Sequence, residues 1–394
     1  MRGKGAAIVG TLVACGVTLM GSAAHAHEPG EVRLVVGGTI ATLTRETPIA
    51  AGQGWLVWSV GTNNAAFKLH ALHEGREFVL PLAARPVPFD ASVGTDAGGR
   101  PVVTFSKCQS VAEMAIVGAG EGGLLEEPTT ARDCRVRMLE LEDGRESPVP
   151  IPHPRGTSDT APAMWRGVVA FARMEPSHRL VSQVLTWTPR HPGSVRVLKH
   201  GIVPTDCPTR AACRHGFGWG EVQSLAFDGK TVAFTWARKA TWRRNGAGWE
   251  GRIDILRTGR STVARVATAG HEERGLLHAV ASEVCISFSP REFVWPGTTF
   301  LSGGSAYFSG VEDGVCFSRF GGWLFTGGES RRREATFPVP VLSWASDGPN
   351  TYALVAPQPR RGLNGGEPDE LPGCALDKPC NLESVQRPAL SPVH

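Results

Sequence analysis

The chain has 394 residues, with 41 Lys and Arg against 37 Asp and Glu, a formal net charge of +4. A balance this close to neutral supplies no global field to attract nucleic acid or anionic lipid. Beyond the first thirty or so residues nothing approaches the ~20 consecutive apolar residues of a membrane-spanning helix.

The first element reads as an export signal over residues 1–26. Arg2 and Lys4 form a basic head, Ala6 to Met20 is an uncharged apolar run, and Ala24-His25-Ala26 offers a small-x-small cleavage pattern. Removing it leaves a charge of (41 − 2) − 37 = +2. A rival reading stays open: Leu12-Val13-Ala14-Cys15 resembles a lipobox, which would make Cys15 a lipidated N-terminus. Residues 27–394 are then one domain, secreted or held in the cell envelope.

With Cys15 set aside, eight cysteines remain, an even number in an exported chain, which implies disulfides. Neighbour pairing is the simplest connectivity: Cys108–Cys134, Cys207–Cys213, Cys285–Cys316 and Cys374–Cys380. A zinc site is the competing view, weakened by the lack of any C-x-x-C pair.

Along the mature chain one short pattern recurs: a Gly turn followed by a β-branched and aromatic run. The six copies are "GWLVWSV" from Gly54, "GRPVVTFS" from Gly99, "GVVAFAR" from Gly167, "GKTVAFTW" from Gly229, "GSAYFSG" from Gly304 and "GPNTYALVA" from Gly348. Their central positions are Trp58, Phe105, Phe171, Phe234, Phe308 and Leu354, spaced 47, 66, 63, 74 and 46 residues apart. Such runs read as strands buried on both faces. A second pattern, "LHEGRE", "LEDGRE" and "LRTGRS", follows three of them and reads as a hairpin turn, replaced by "RHPGS" after the third. Each unit therefore has four antiparallel strands, which is a β-propeller blade. Six blades are expected, a seventh being the alternative. The strand-like "VRLVVGGTIATL" (Val32 to Leu43) is expected to close the ring against "NLESVQR", removing exposed sheet edges. The excess over a bare blade lies in loops, among them 109–133, 205–220 and 359–380.

At the Asp-Gly turns the chain resembles the TolB-like six-bladed propellers of secreted bacterial proteins. "FDGKTVAFTW" carries the likeness at Asp228, Gly229, Val232, Ala233 and Phe234, and "ASDGPNTYALVA" at Asp347, Gly348, Tyr352 and Leu354. The other units keep the Gly and lose the Asp. The resemblance implies a propeller in an envelope or extracellular setting and brings no partner with it, since one fold hosts many functions.

The search for chemistry yields little. There is no G-x-S-x-G elbow, and none of the three His-Glu pairs continues to a second His at metal-protease spacing. "GAGEGG" (Gly118 to Gly123) lacks the Lys-Ser/Thr of a phosphate loop. Tyr307 and Tyr352 fall inside core strands, and Glu140 and Asp254 alternate with apolar residues as solvent-facing positions would. No cofactor or metal is expected. The distinctive stretch is "TWARKATWRRNGAGWEGR" (Thr235 to Arg252), in which Trp242, Trp249, Arg243 and Arg244 are the candidate ligand-binding residues: exposed aromatics stack on sugar rings, and Arg pairs with carboxylates. The competing account is an extended hairpin whose tryptophans pack back on the blade. "SRRRE" (Ser330 to Glu334) reads as a solvated turn.

The function expected from all this is non-catalytic: a monomeric exported propeller that binds or scaffolds a protein or polysaccharide partner. The alternative is a propeller enzyme, a glycosidase or lyase, acting on envelope polysaccharide. A purely structural surface protein is the third reading.

Overall fold

The computed structural model describes residues 35–45, 47–62, 66–109, 133–174, 182–199, 220–242, 246–257, 263–270, 293–302, 305–314, 317–325, 332–335, 341–348, 350–357 and 374–386. The export signal, Cys15, Cys207, Cys213, Cys285, Cys316, Arg243 and Arg244 lie outside them.

Every regular element among these residues is a β-strand. The first is β1 (Val35–Leu43). Six four-stranded antiparallel sheets are formed. The first comprises β2 (Ile49–Gly52), β3 (Trp55–Gly61), β4 (Phe67–His73) and β5 (Arg76–Val79). The second comprises β6 (Ser92–Thr95), β7 (Pro101–Lys107), β8 (Arg135–Glu140) and β9 (Glu146–Pro148). The third comprises β10 (Ser158–Trp165), β11 (Val168–Met174), β12 (Ser182–Trp187) and β13 (Val195–Lys199). The fourth comprises β14 (Gly220–Phe227), β15 (Thr231–Trp242), β16 (Gly246–Arg257) and β17 (Val263–Gly270). The fifth comprises β18 (Phe293–Ser302), β19 (Ser305–Gly314), β20 (Phe317–Phe325) and β21 (Arg332–Ala335). In the last, β22 (Val341–Asp347), β23 (Asn350–Val355) and β24 (Cys380–Gln386) are joined by β1, which runs antiparallel to β24. The first strands of successive sheets lie against one another, β2 on β6, β6 on β10, β10 on β14, β14 on β18, β18 on β22 and β22 on β2.

The repeated aromatic run is the second strand of each sheet, and where its side chains are described it is buried on both faces because its sheet is sandwiched between two others. Along β11, Val169 and Phe171 pack with the second sheet, and Ala170 and Ala172 pack with the fourth. Along β3, Val57 faces the second sheet, and Leu56 and Trp58 face the last. Alternate residues of one strand thus enter two different cores. Trp58, Phe105, Phe171, Phe234 and Leu354 are all buried, each contributing roughly 1.5–3 kcal/mol of apolar burial. The Gly turn has its own requirement. Gly229 has φ 90°, and a Cβ there would stand 2.4 Å from the Trp165 ring, so only glycine gives the turn and lets the third sheet approach.

Adjacent sheets are also joined by hydrogen bonds between their first strands. A β-bulge interrupts the pairing of β14 at Val222/Ser224, of β18 at Pro296/Thr299 and of β22 at Val341/Ser343. A bulge frees backbone groups from the ladder, and those groups need partners. Hydroxyls of the neighbouring bulge supply them: Thr299 N donates to Ser224 Oγ (2.9 Å) and Trp344 N to Thr298 Oγ1 (3.2 Å). Ile49 N then donates to Ser343 Oγ (3.0 Å), linking the last sheet to the first.

Among the described residues there are two disulfides, Cys108–Cys134 and Cys374–Cys380. They point to an oxidising, extracytoplasmic compartment. The first spans 26 residues and the second 6. Loop-closure entropy gives about 3.5 kcal/mol for the longer loop and about 2 kcal/mol for the shorter. Replacing Cys108 and Cys134 together by Ser is therefore expected to lower the urea midpoint more than the same change at Cys374 and Cys380. Equal losses would count against a loop-length origin.

Two sequence expectations are corrected here. Glu140 does not face solvent: only 3% exposed, it accepts from Arg100 Nη1 (2.7 Å) and from Arg145. Two guanidiniums flank it, one from the β6–β7 turn and one from the β8–β9 turn, so an acid at this buried position is neutralised. Residues 332–334 of the "SRRRE" stretch are not a turn but part of β21, hydrogen-bonded to β20.

Candidate functional site

The sheets all point the same way. At the end where first strands turn into second strands, Gly54 N donates to Asp347 Oδ2 (2.5 Å) of the last sheet, and Arg166 N donates to Thr95 Oγ1 (3.0 Å) of the second. At the opposite, leading end, Ala161 N of β10 donates to Asp90 Oδ2 (2.9 Å) just ahead of β6. Because the strands alternate in direction, each connection can be assigned to one end. The turn end carries the short links, such as 53–54, 74–75, 96–100, 166–167 and 228–230. The connections 80–91, 108–134, 200–219, 271–292 and 356–379 all emerge at the leading end. The long connections thus begin and end on that face, and long connections on a rigid scaffold are where binding residues accumulate.

The stretch singled out by its Trp and Arg content also emerges there. Its backbone is an extended two-stranded ribbon. β15 and β16 pair without interruption from Thr231↔Arg257 to Trp242↔Gly246. β14 ends its pairing at Gly220↔Arg238, and β17 ends at Glu250↔Gly270. The last four pairs, from Lys239↔Trp249 to Trp242↔Gly246, therefore extend past both flanking strands. Trp242 and Trp249 both lie on this extension. Their cross-strand partners, Gly246 and Lys239, assign them to opposite faces of it, because positions 246 and 249 are an odd number of residues apart on β16. Arg243 and Arg244, at its tip, are outside the described residues.

A second group was not legible in the sequence. Beneath the leading face, between the second and third sheets, Asp159 is held by Arg173 through Nε (2.6 Å) and Nη2 (2.8 Å) and by His153 Nδ1 (3.1 Å). Arg173 Nη2 also donates to the Pro152 carbonyl (2.7 Å). His153, Asp159 and Arg173 are all buried at their side chains, and His153 Nε2 has no hydrogen-bond partner among the described residues. An Asp–His pair with a free outer nitrogen has the order of a general base. Here the guanidinium neutralises the carboxylate and Nε2 is closed to solvent, so the group fixes the β9–β10 connection to the sheet. The Asp159 backbone N–H donates to the Cys134 carbonyl (2.9 Å), which ties the same point to the Cys108–Cys134 disulfide.

Next to it, Asp90 accepts from Ser106 N (3.0 Å), Ser106 Oγ (2.6 Å), Ala161 N (2.9 Å) and Arg85 Nη2 (3.3 Å). Burial pushes its carboxyl up, but the Arg85 charge and these donors outweigh that and hold it below the ordinary carboxylate value. Glu383 on β24 behaves oppositely. It is buried, Oε2 has no partner among the described residues, and burial raises its carboxyl above the ordinary value despite the Asn381 donor. Folding therefore favours the protonated acid: this contribution is fully present at acid pH and is lost as pH rises through the raised value. Glu383→Gln is expected to raise the melting temperature at neutral pH, with the gain shrinking as pH falls to the ordinary Glu range. A gain that persisted unchanged in acid would show that ionisation of Glu383 is not its source.

Among the described residues no group of three or more His, Cys, Asp or Glu is placed to hold a metal ion, and no helix is long and apolar enough to cross a membrane.

The chain has a β-propeller fold. No family model matches it, and no curated protein does. Among solved structures it is similar to the α-L-arabinanase of Penicillium chrysogenum, complexed with arabinobiose, at 8% identity and TM-score 0.46, covering 89% of this chain and 99% of that one. It is also similar to the β-propeller domain of the Trilobed protease from Pyrococcus furiosus, described as having an open velcro topology, at 9% identity and TM-score 0.38, covering 92% and 98%. A puromycin-hydrolyzing peptidase of Mycobacterium tuberculosis is similar at 9% identity and TM-score 0.38, but this chain spans only 50% of it. At such identities and TM-scores the likeness brings no activity to this chain.

Proposed function

We propose that this chain is an exported, monomeric, TolB-like propeller of six blades, closed by β1 on β24. In this reading residues 1–26 are a cleaved signal and 27–394 one domain. The leading face binds a protein or an envelope polysaccharide without transforming it. The observation that carries the reading is the one-sided distribution of chain length: long connections and the β15–β16 ribbon leave the same end of the sheets, while the other end is finished with tight turns. A scaffold with no ligand has no reason to spend length on one face only. The ribbon's Trp and Arg residues suit a glycan, since aromatic faces stack on sugar rings and guanidiniums pair with carboxylates.

The test is a thermal-shift panel on the mature chain with acidic polysaccharide fragments, neutral fragments and divalent ions. A ligand at a hundred times its dissociation constant stabilises by about 2.7 kcal/mol. A shift with one glycan class, without chain cleavage by size-exclusion analysis, is expected. Release of shorter or unsaturated products would replace the binding reading with a glycosidase or lyase. No shift with any glycan would move the partner to protein.

A further inference from the structure

The connection from β9 to β10 carries a pattern that the groups above do not use. Proline stands at every second position from 148 to 154, within "SPVPIPHPRG" (Ser147 to Gly156). Proline fixes φ near −65°, and the residue before a proline is confined to extended conformations. Every residue from 147 to 154 is one or the other, so this strap is stiff before any tertiary contact forms. The contacts then orient it. Val149 is buried, its N–H donates to the Val136 carbonyl (3.1 Å), and Val149 and Ile151 pack with Met164, Phe171 and Leu185. The His153 side chain is buried against Asp159, and Arg173 Nη2 donates to the Pro152 carbonyl (2.7 Å). Thr157 fastens the far end, donating to the Pro154 carbonyl through its N–H (3.1 Å) and its hydroxyl (2.8 Å). With the odd-numbered side chains turned inward, Pro148, Pro150 and Pro154 are exposed and Pro152 is half-buried. Arg155 follows, exposed and without an ion pair among the described residues. Because β9 runs away from the turn end, the strap lies on the leading face.

We propose that this strap is a docking ridge for a partner protein whose groove is lined by aromatic side chains and rimmed by acidic ones; the inference rests on the binding role assigned to the leading face and specifies a protein partner there. Aromatic grooves read proline-rich segments because the rings are apolar and already fixed, so little conformational entropy is lost on binding. From Pro148 to Pro154 the ridge is roughly 19 Å long at about 3.1 Å per residue. Period-two alternation keeps its exposed rings on one side, where a single groove can reach them. The inward side chains and Arg173 do the anchoring, and polar residues at the outward positions would serve it equally well. A sugar gains little from this surface, since proline offers neither an aromatic face to stack on nor a backbone N–H. Arg155, free of internal pairing and at one end of the row, gives the ridge a direction: an acidic group at the matching end of the groove fixes which way the strap lies.

The test uses the full mature chain and, in parallel, a peptide copying residues 146–156. The probes are purified proline-reading domains with aromatic grooves, of the Src-homology, WW and profilin types, with dissociation constants from calorimetry. At least one is expected to bind the full chain at about 100 μM or tighter, and no more weakly than it binds the peptide. Pro150→Ser combined with Pro154→Ser is expected to weaken that binding by about tenfold or more, and Arg155→Glu by about threefold or more. Pro86→Ser, at an exposed proline on another leading-end connection, should leave it within about twofold. If the double proline variant misfolds, Arg155→Glu decides alone, because it changes an exposed, unpaired side chain. Binding of the peptide but not of the full chain would show that the strap is closed in the folded protein and would overturn the proposal. Binding of neither would overturn it too, as would binding that the Pro150, Pro154 and Arg155 variants leave unchanged. Repeating the glycan panel on the double proline variant separates this proposal from the broader reading: a glycan shift without domain binding keeps the leading face as a binding surface and removes only the ridge.

Discussion

Arg173→Met is expected to destabilise the protein by about 3–5 kcal/mol, because it leaves Asp159 as a buried charge with its main partner removed. Asp159 is 1% exposed and sits at the start of β10, with Arg173 directly across the β10–β11 ladder. The guanidinium meets both carboxylate oxygens, lies over the Phe171 ring at 5.2 Å and reaches the Pro152 carbonyl. One side chain thus secures a charge, a sheet and a connection. Its loss also leaves His153 as the only remaining side-chain donor to Asp159 among the described contacts. The double variant Asp159→Leu with Arg173→Met removes both charges and should recover most of the loss, since an apolar pair of similar volume often matches a buried ion pair. Urea unfolding of the three proteins measures this directly. If the single variant costs less than about 1 kcal/mol, the site is wet and the burial argument fails.

The second large effect is at Gly94. A Cβ there would stand 1.8 Å from the Met164 carbonyl oxygen and 2.8 Å from its carbonyl carbon. Both residues lie on first strands, β6 and β10, and the clash is with backbone, so no rotamer change relieves it. Gly94→Ala must separate the second and third sheets. The neighbouring bonds from Arg166 and Gly167 to Thr95 would be strained with it. A loss of about 3 kcal/mol or more is expected, at the upper end of overpacking costs. Gly38→Ala is the matched control, because a Cβ at Gly38 meets nothing within 4 Å. Similar thermal melts for the two variants would show that the close approach is not maintained in solution.

Acid should act on this protein through opposing groups. Asp90, held below the ordinary carboxylate value, contributes stability that is lost as pH falls; Glu383, held above it, contributes stability that is lost as pH rises.

Much of the architecture is visible in local pattern. The Gly turn and the aromatic run recur because every second strand is buried between two sheets, and that demand is met by consecutive apolar residues whatever lies far away in the chain. The hairpins at "LHEGRE" and "LEDGRE" are equally local: Gly75 and Gly144 close β4–β5 and β8–β9. The buried charges were not visible in this way. Asp159 and Arg173 are fourteen residues apart and share no motif; only the β10–β11 register makes them partners. Glu140 alternates with apolar neighbours, which is the pattern of an exposed position, and only the approach of Arg100 and Arg145 makes its burial tolerable.

The amino-acid sequence by itself determined the all-β character, the repeating four-stranded unit and the Cys108–Cys134 and Cys374–Cys380 pairings. These depend on turn chemistry, period-two burial and short spacings, all of which act within a few residues or a single blade. Only the tertiary structure decided which end of the sheets receives the long connections, and that Trp242 and Trp249 occupy opposite faces of one ribbon. The reason is physical. A strand's side assignments repeat every two residues, so shifting its partner by one residue exchanges the faces. That partner is chosen by contacts between distant segments, which no local pattern contains.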